Sequence, residues 1–557
     1  MKKLSLILLI IIALLTFPLL VGCDATDAPS TPPAADSETP ANDSDTSDPV
    51  DPPEDIDNND EEEVATPGTD NSRGIVIALN NNIMTLDPFE SRAALDNNII
   101  AAMAESLVDW DESAMNLVGG LAESFEVSED SLTHTFNLRQ GVTFHDGLPF
   151  NADAVVANFN HIREVGEGGP RFAIFRTVEE LVVIDEYTIQ FVHSEPFMPF
   201  LERLMAVRIL SPAQIESGDF SGPIGTGQFI FREWIDGDRM VMDRNPDWRN
   251  ADRIGVESVT YRFVPENATR VAMLQSGDAD IIYPMPPELL PQIQGDTDFN
   301  IQTAPSTVMR FVMMNQDVEP LNDVNVRRAM NYAIDKDAYV QVVRGGFSTV
   351  ATSPMSNLLP FHYESAGYPV NLERAAQLLD EAGLEEGPDG IRFSLTIWSS
   401  TETSEMRAME FLAQQWAQIG IDVTPVPMEE GTLSDSIWGQ TRDTIEMHMW
   451  YVSWSAFDPD NALNSTFMST RHTPAGANAN FYTNLDVDAA ILAGNAAPTF
   501  EERFEYYAFA QRQIMEDAVW IFLGHDERIL ATAADMTGIS LMPTGNWLDL
   551  RVIGIAG

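Results

Sequence analysis

The sequence predicts a mixed α/β fold, because two hydrophobic periods occur along the 557-residue chain and a helix–glycine–strand unit joins them. Period two comes first. Leu132, His134, Phe136 and Leu138 alternate with Thr133, Thr135, Asn137 and Arg139, as in a half-buried strand. Helical spacing follows in Val326, Ala329, Met330, Ala333 and Ile334, and again in Ala375, Leu378, Leu379 and Ala382, where Gly383 is placed to stop the helix. A third amphipathic helix, from about Glu405 to Ile419, turns Met406, Met409, Ala413 and Trp416 to one side. It ends at Gly420, and Ile421 to Thr424 then reads as a strand. No repeat of fixed period is present.

Composition narrows the function classes. With 44% hydrophobic residues over this length the chain buries a large core and divides into several domains. A formal charge of -55 repels nucleic-acid phosphates and anionic lipid, so nucleic-acid binding is excluded. Lys2, Lys3 and Lys336 are the only lysines, which leaves no lysine cluster for Schiff-base or phosphate chemistry. Acidic excess with few lysines fits a salt-adapted origin as well as codon bias.

The first 22 residues read as a targeting segment: Lys2 and Lys3, an apolar run from Leu4 to Leu20, then Leu20-Val21-Gly22-Cys23. This ending resembles the lipobox of bacterial lipoproteins, which implies lipidation of Cys23 and cleavage before it. Cys23 is the only cysteine, so no intramolecular disulfide and no cysteine-based metal or redox site can form. An uncleaved anchor is the alternative, but a run this short is marginal for spanning a bilayer. Residues 24–70 hold 16 Asp or Glu, eight prolines and no Lys, Arg or aromatic residue. They bury too little apolar surface to offset ordering, so 23–73 reads as a lipidated cysteine followed by a disordered tether. The rest still carries 70 acidic against 29 basic residues.

A series of motifs from about Ile75 to the C-terminus resembles one family. Thr85-Leu86-Asp87-Pro88, Leu121-Ala122-Glu123-Ser124, Phe136-Asn137-Leu138-Arg139, Phe144-His145-Asp146-Gly147 and Asn151-Ala152-Asp153 look like the N-terminal signature of extracellular solute-binding proteins of family 5, the peptide- and nickel-binding group. Pro223-Ile224-Gly225-Thr226-Gly227, Asn245-Pro246-Asp247-Trp248, Leu274 to Asp280, Val326 to Met330, Ala375 to Gly383 and Ile419-Gly420-Ile421 continue in the family's order. The resemblance implies a three-domain periplasmic-binding-protein fold of type II with a ligand cleft between lobes. Domain I would comprise 74–105, 212–306 and 526–557, domain II the insertion 106–211, and domain III 307–525. It further implies a monomeric extracytoplasmic receptor, held at the membrane by Cys23, that passes a small solute, a peptide first, to the permease of an ABC importer. No cofactor and no catalysis are implied; an oligosaccharide or a metal chelate is the alternative ligand.

The attractive residues each carry a structural reading too. His145 beside Asp146 suits a general base, but Asp-Gly is a turn signal. The eight histidines are scattered, without HExxH spacing, so no metal site is predicted. Gly225-Thr226-Gly227 lacks the third glycine of a dinucleotide loop and reads as a tight turn. Neither GxxxxGK[ST] nor GxSxG occurs, and with acidic residues this common no carboxylate pair singles out a hydrolase.

For the ligand the informative stretch is Trp450 to Asn461. It resembles the family segment in which an aspartate after a tryptophan takes a peptide's α-amino group, but its spacing is shortened, leaving Phe457 at that anchor position and Asp458 in the Asp-Pro pair. Ser399-Ser400 stands where some dipeptide receptors carry a carboxylate-binding arginine. Both charged anchors are therefore expected to be absent, and unpaired charged termini would cost several kcal/mol to bury. Trp398, Trp438 and Trp454 are expected to offer flat apolar faces to a sugar or a backbone-held peptide, or else to pack in the core.

The lipobox gives the first test. Cys23→Ala abolishes lipid labelling and releases the protein from membranes, since two acyl chains anchor stably where one is marginal; unchanged labelling contradicts the assignment.

Overall fold

A computed structural model describes residues 73–556 except 112–116, 167–168 and 543–546, so the leader, Cys23 and nearly all of the tether lie outside the described residues. The chain begins with β1 (Ile75–Leu79), α1 (Ala94–Ala101) and a hairpin of β2 (Val108–Trp110) and β3 (Leu117–Gly119). Next come β4 (Ala122–Val127), β5 (Thr133–Leu138), α2 (Ala152–Val165), β6 (Val178–Asp185), β7 (Thr188–His193), α3 (Phe200–Leu204) and α4 (Pro212–Ser217). Then follow β8 (Phe229–Ile235), β9 (Arg239–Arg244), β10 (Ser258–Phe263), α5 (Asn267–Ser276), β11 (Ile281–Tyr283) and the long β12 (Phe299–Met314). After α6 (Val324–Tyr332), α7 (Lys336–Val342), β13 (Ser348–Val350) and α8 (Leu372–Glu381) the chain forms β14 (Phe393–Ser400), α9 (Thr403–Ala417), β15 (Ile421–Met428) and α10 (Glu430–Trp438). It closes with β16 (Met449–Ser455), α11 (Pro459–Phe467), α12 (Leu485–Ala496), α13 (Phe500–Glu516), β17 (Trp520–Ala533) and short C-terminal strands.

Among the described residues one sheet runs β15-β14-β16-β12-β17-β11-β1-β10-β9-β8, with β13 added beside β17, and β4-β5-β7-β6 forms a separate four-stranded sheet. Strands β12 and β17 pair antiparallel along almost their whole length, from Phe299 opposite Ala533 to Met313 opposite Trp520. Their side chains alternate between different cores at each end. Met309, Phe311 and Met313 enter one cluster with Trp520 and Phe522, whereas Val312 and Met314 face the opposite cluster with Ile521 and Leu523. At the other end Ile529 and Ala531 pack with Ala78, Val271 and Ile282, and Leu530 joins the large cluster around Ile77 and Ile281. Phe311 and Trp520 stack at 4.0 Å, almost parallel.

Between these ends the ladder is interrupted from Pro305 to Met309, where a bulge changes its register. Ser306 is buried there and donates from its hydroxyl to the Asp526 carbonyl at 2.6 Å. The neighbouring Arg310 reaches both Glu405 at 2.7 Å and Asp526 at 2.9 Å, and Arg344 adds 2.8 Å to the same Asp526 oxygen. Burial alone would raise the Asp526 carboxyl, but Arg310, Arg344 and Arg528 outweigh it and hold the group below its ordinary value.

The helices and strands read from periodicity are present: β5 buries His134, Phe136 and Leu138 while α6, α8 and α9 bury their apolar stripes. Gly383 and Gly420 both adopt positive φ. The Gly225-Thr226-Gly227 reading needs correction. Neither glycine has positive φ; a Cβ at Gly225 would lie 2.3 Å from the Met103 carbonyl, so the glycines allow close backbone packing rather than a tight turn.

The buried charges beside the bulge make a direct prediction. Arg310→Met leaves Glu405 and Asp526 without their shared cation and lowers unfolding free energy by about 3–5 kcal/mol in denaturant titration. A loss below about 1 kcal/mol would show that the network is not structurally important.

Candidate ligand site

The residues singled out from sequence gather on one face of the sheet near the ends of β14 and β16. Trp398 on β14 stands beside Trp450 on the parallel strand β16 and is 8% exposed. Trp438, at the end of α10, meets the Trp450 ring edge-on at 5.4 Å. Trp454 lies two turns of the pleat further along β16, half-buried against the same apolar cluster. The tryptophans thus share a face but at different depths, with Trp398 mostly committed to the core.

Asp458 is nearly fully buried and caps α11: its carboxylate accepts the Asn461 N–H at 2.7 Å, and Pro459 occupies the first helical turn. Arg203 of α3 stands 3.3 Å from Asp458 and 2.7 Å from Asp460, with its guanidinium 5.4 Å from the Phe457 ring centre. Asp460 also accepts from Asn464 at 2.9 Å and from Asn495, which is in turn fixed by Tyr507 at 2.7 Å. A backbone bond from Met198 N–H to the Asn495 carbonyl, 3.0 Å, ties the strand-to-helix segment before α3 to α12. Burial works against the Arg203 charge, yet Asp458 and Asp460 raise its pKa above the ordinary value. Burial raises the Asp458 carboxyl and Arg203 opposes that rise. Both carboxylates are therefore spoken for by the protein.

Glu202, next to Arg203, was not singled out in the sequence. Burial, and then the nearby Asp458, push its carboxyl up to about 7, with Arg503 and Arg203 pulling the other way. Arg503 on α13 is equally unannounced by any motif. Its guanidinium lies 4.5 Å from the Phe361 ring centre and the side chain is almost wholly buried.

His145 sits apart from this cluster. Its Nε2 is 3.1 Å from the Gly227 carbonyl, and Asp146 accepts from Leu148 N–H at 3.1 Å and from the Ser211 hydroxyl, which is the geometry of a turn. The fold does bring two distant histidines together. His134 on β5 and His193 on β7 pack edge-on at 4.8 Å against Phe200, and burial pushes them down to about 3 and about 4, so they pack as neutral rings. Among the described residues no group of three or more His, Cys, Asp or Glu is placed to hold a metal, and no helix is long and apolar enough to cross a membrane.

A mixed sheet spanned by two long shared strands, carrying an additional small sheet, is the periplasmic-binding-protein fold in its multi-domain form. The H. pylori protein DppA, solved with the peptide STSA, superimposes with a TM-score of 0.75 at 22% identity over 87% of this chain and 98% of that one. CtaP of Listeria monocytogenes gives 0.78 at 22% identity over 87% and 99%. NikZ of Campylobacter jejuni, solved with Ni(L-His), gives 0.74 at 24% identity over 84% and 95%.

Residues 116–473 match the profile of bacterial extracellular solute-binding proteins, family 5, middle region, and the chain belongs to that family. The glutathione-binding protein GsiB of Pectobacterium atrosepticum is 31% identical over 480 residues, 85% of this chain and 92% of that protein. The counterpart in Escherichia coli K12 is 30% identical over 480 residues, covering 85% and 93%. The chain is accordingly an extracytoplasmic solute-binding protein and not an enzyme.

Glu202 generates a test whose sign is fixed by its raised pKa. The folded protein holds this proton more tightly than the unfolded chain, so ionising Glu202 costs stability as pH climbs from about 4.5 to about 7 and adds no further cost above that. Glu202→Gln is expected to remove a pH-dependent loss on the order of 2–3 kcal/mol, read from unfolding curves between pH 5 and 8. Parallel pH profiles for the variant and the parent would contradict the assignment.

Proposed function

We propose that this protein is the peptide receptor of an ABC importer, anchored to the cell membrane through lipidated Cys23 and acting as a monomer. The observation that carries the ligand class is the 31% identity with a glutathione-binding protein across nearly all of that protein's length, glutathione being a tripeptide. Neighbours of the same fold solved with STSA and with Met-Leu support it. In this reading 74–105, 212–306 and 526–557 form domain I, 106–211 domain II and 307–525 domain III. Strands β12 and β17 are the crossing between I and III, and the solute lies at the face that carries Trp438, Trp454, Phe457 and Asp458, with Trp398 behind them. The permease then recognises the filled, closed form.

The arrangement at Asp458 favours peptides whose amino terminus is not gripped by a dedicated acid. That carboxylate is occupied by the start of α11 and by Arg203. A ligand ammonium would have to displace a guanidinium already paired. The shared tryptophan face supports a second reading, an oligosaccharide stacked on Trp438 and Trp454.

Calorimetry with matched free and N-acetylated peptides, beside an oligosaccharide, decides between these. The proposal expects peptides to bind with less than threefold loss on acetylation. A tenfold or larger penalty that vanishes in Asp458→Asn would show an amine-gripping receptor instead, and tight binding of the oligosaccharide alone would overturn the peptide class.

A further inference from the structure

A cavity of about 150 Å³ lies away from the face described above. Its walls come from parts of the chain far apart in sequence: the end of α1, the β2–β3 hairpin, the segment after α3, the connection from β9 to β10 and the C-terminal segment. That connection stands at the end of the sheet where β1 begins, since Asp243 pairs with Ser258 and Ile75 with Val259. Trp438, Trp454, Phe457 and Asp458 take no part in the walls.

The lining is rich in hydrogen-bond donors. Arg208, Arg249, Arg253 and Arg551 reach it together with Trp248, and guanidinium and indole groups donate only. Trp248 is 6% exposed and its Nε1–H has no acceptor in the protein, which is rare for a buried donor. Arg208 is 4% exposed and donates to the Ser106 hydroxyl at 3.4 Å. Burial lowers its pKa, and Asp109 and Glu105 do not make up the difference.

The carboxylates in the walls already hold cations. Glu105 pairs with Arg249 at 2.5 Å and accepts from the Thr226 hydroxyl at 2.9 Å, while Arg551 meets Asp549 at 2.8 Å and Asp109 at 3.4 Å. Among the described lining residues four guanidiniums therefore stand against three carboxylates, in a chain whose formal charge is -55. The volume takes several waters or one small oxyanion. An ion with acceptor oxygens on every side meets N–H groups that arrive from several directions, and it relieves the mutual repulsion of Arg208 and Arg551.

We propose that this cavity binds a small tetrahedral oxyanion of the phosphate or sulfate class, held by Arg208, its neighbouring arginines and the Trp248 N–H, at a site separate from the ligand face. The bound ion bridges the connection after β9, the segment after α3 and the C-terminal segment, so it also stabilises the fold by mass action. The inference stands on these walls alone and does not depend on which solute the receptor carries.

The test titrates inorganic phosphate and sulfate into the phosphate-free protein by calorimetry, with chloride at matched ionic strength as the control, because any salt screens so acidic a chain. Saturable binding with a Kd below about 1 mM is expected for both oxyanions and not for chloride. One indole N–H resonance in the NMR spectrum moves with phosphate; it is missing in Trp248→Phe, which keeps the ring's packing and loses the donor. Trp248→Phe weakens oxyanion binding roughly fivefold or more, and Arg208→Gln roughly tenfold or more. The indole resonance and Trp248→Phe decide the matter where Arg208→Gln fails to fold. Saturating glutathione leaves the phosphate affinity unchanged. No saturable binding, or an oxyanion affinity in Trp248→Phe equal to the parent's, would overturn the site. Displacement of phosphate by glutathione would place the ion at the ligand face and overturn it equally.

Discussion

Everything else in the structure depends on the pairing of β12 with β17. Fourteen to sixteen residues on each strand run through one sheet and deliver side chains to four apolar clusters, two at each end. The period of two does this without any change in the chain's direction, because successive residues point to opposite faces. The ladder changes register between Pro305 and Met309 and again between Arg310 and Phe311, and the buried charges of Arg310, Arg344, Glu405 and Asp526 collect immediately beside these breaks. Placing charges where pairing is interrupted satisfies groups that regular strands would have left to water. It also fixes α9, through Glu405, and the turn after α7, through Arg344, to the crossing strands.

The second organising feature is the use of arginine. In a chain with so few cations, several arginines stand at junctions between elements: Arg310 beside the bulge, Arg327 donating to the Leu321 carbonyl at 2.8 Å and the Asp517 carbonyl at 2.8 Å, and Arg203 between α3 and α11. The planar fork suits such sites, since it meets several oxygens at once where an ammonium would meet them singly. Surface acidity is thus compatible with a stable interior, because buried acids such as Asp458, Asp460 and Asp526 are paired with arginine.

How much of this could be read from sequence follows from physics. Strand β5 and helices α6, α8 and α9 were legible because each has one buried and one wet face, which prints a clear period. Strand β17 was not, since Trp520 to Leu523 is buried on both faces and then His525-Asp526-Glu527-Arg528 looks like a loop until Arg310 and Arg344 are seen beside it. The Asp458-Pro459 pair carried a helix-start signature, an acceptor followed by proline, which its place in a ligand segment obscured. Glu202, Arg203 and Arg503 were illegible for a different reason. They lie some 250–300 residues from one another or from their partners, and in an acid-rich chain a single charge carries no positional information until the fold assembles its neighbours.

In a receptor of the kind proposed, a peptide lies between the parts joined by β12 and β17. Native mass spectrometry of the protein loaded with an equimolar mixture of glutathione, a neutral tripeptide amide and an oligosaccharide addresses it in one spectrum. A single dominant complex whose added mass is that of a peptide is expected. A dominant oligosaccharide complex would contradict the peptide reading.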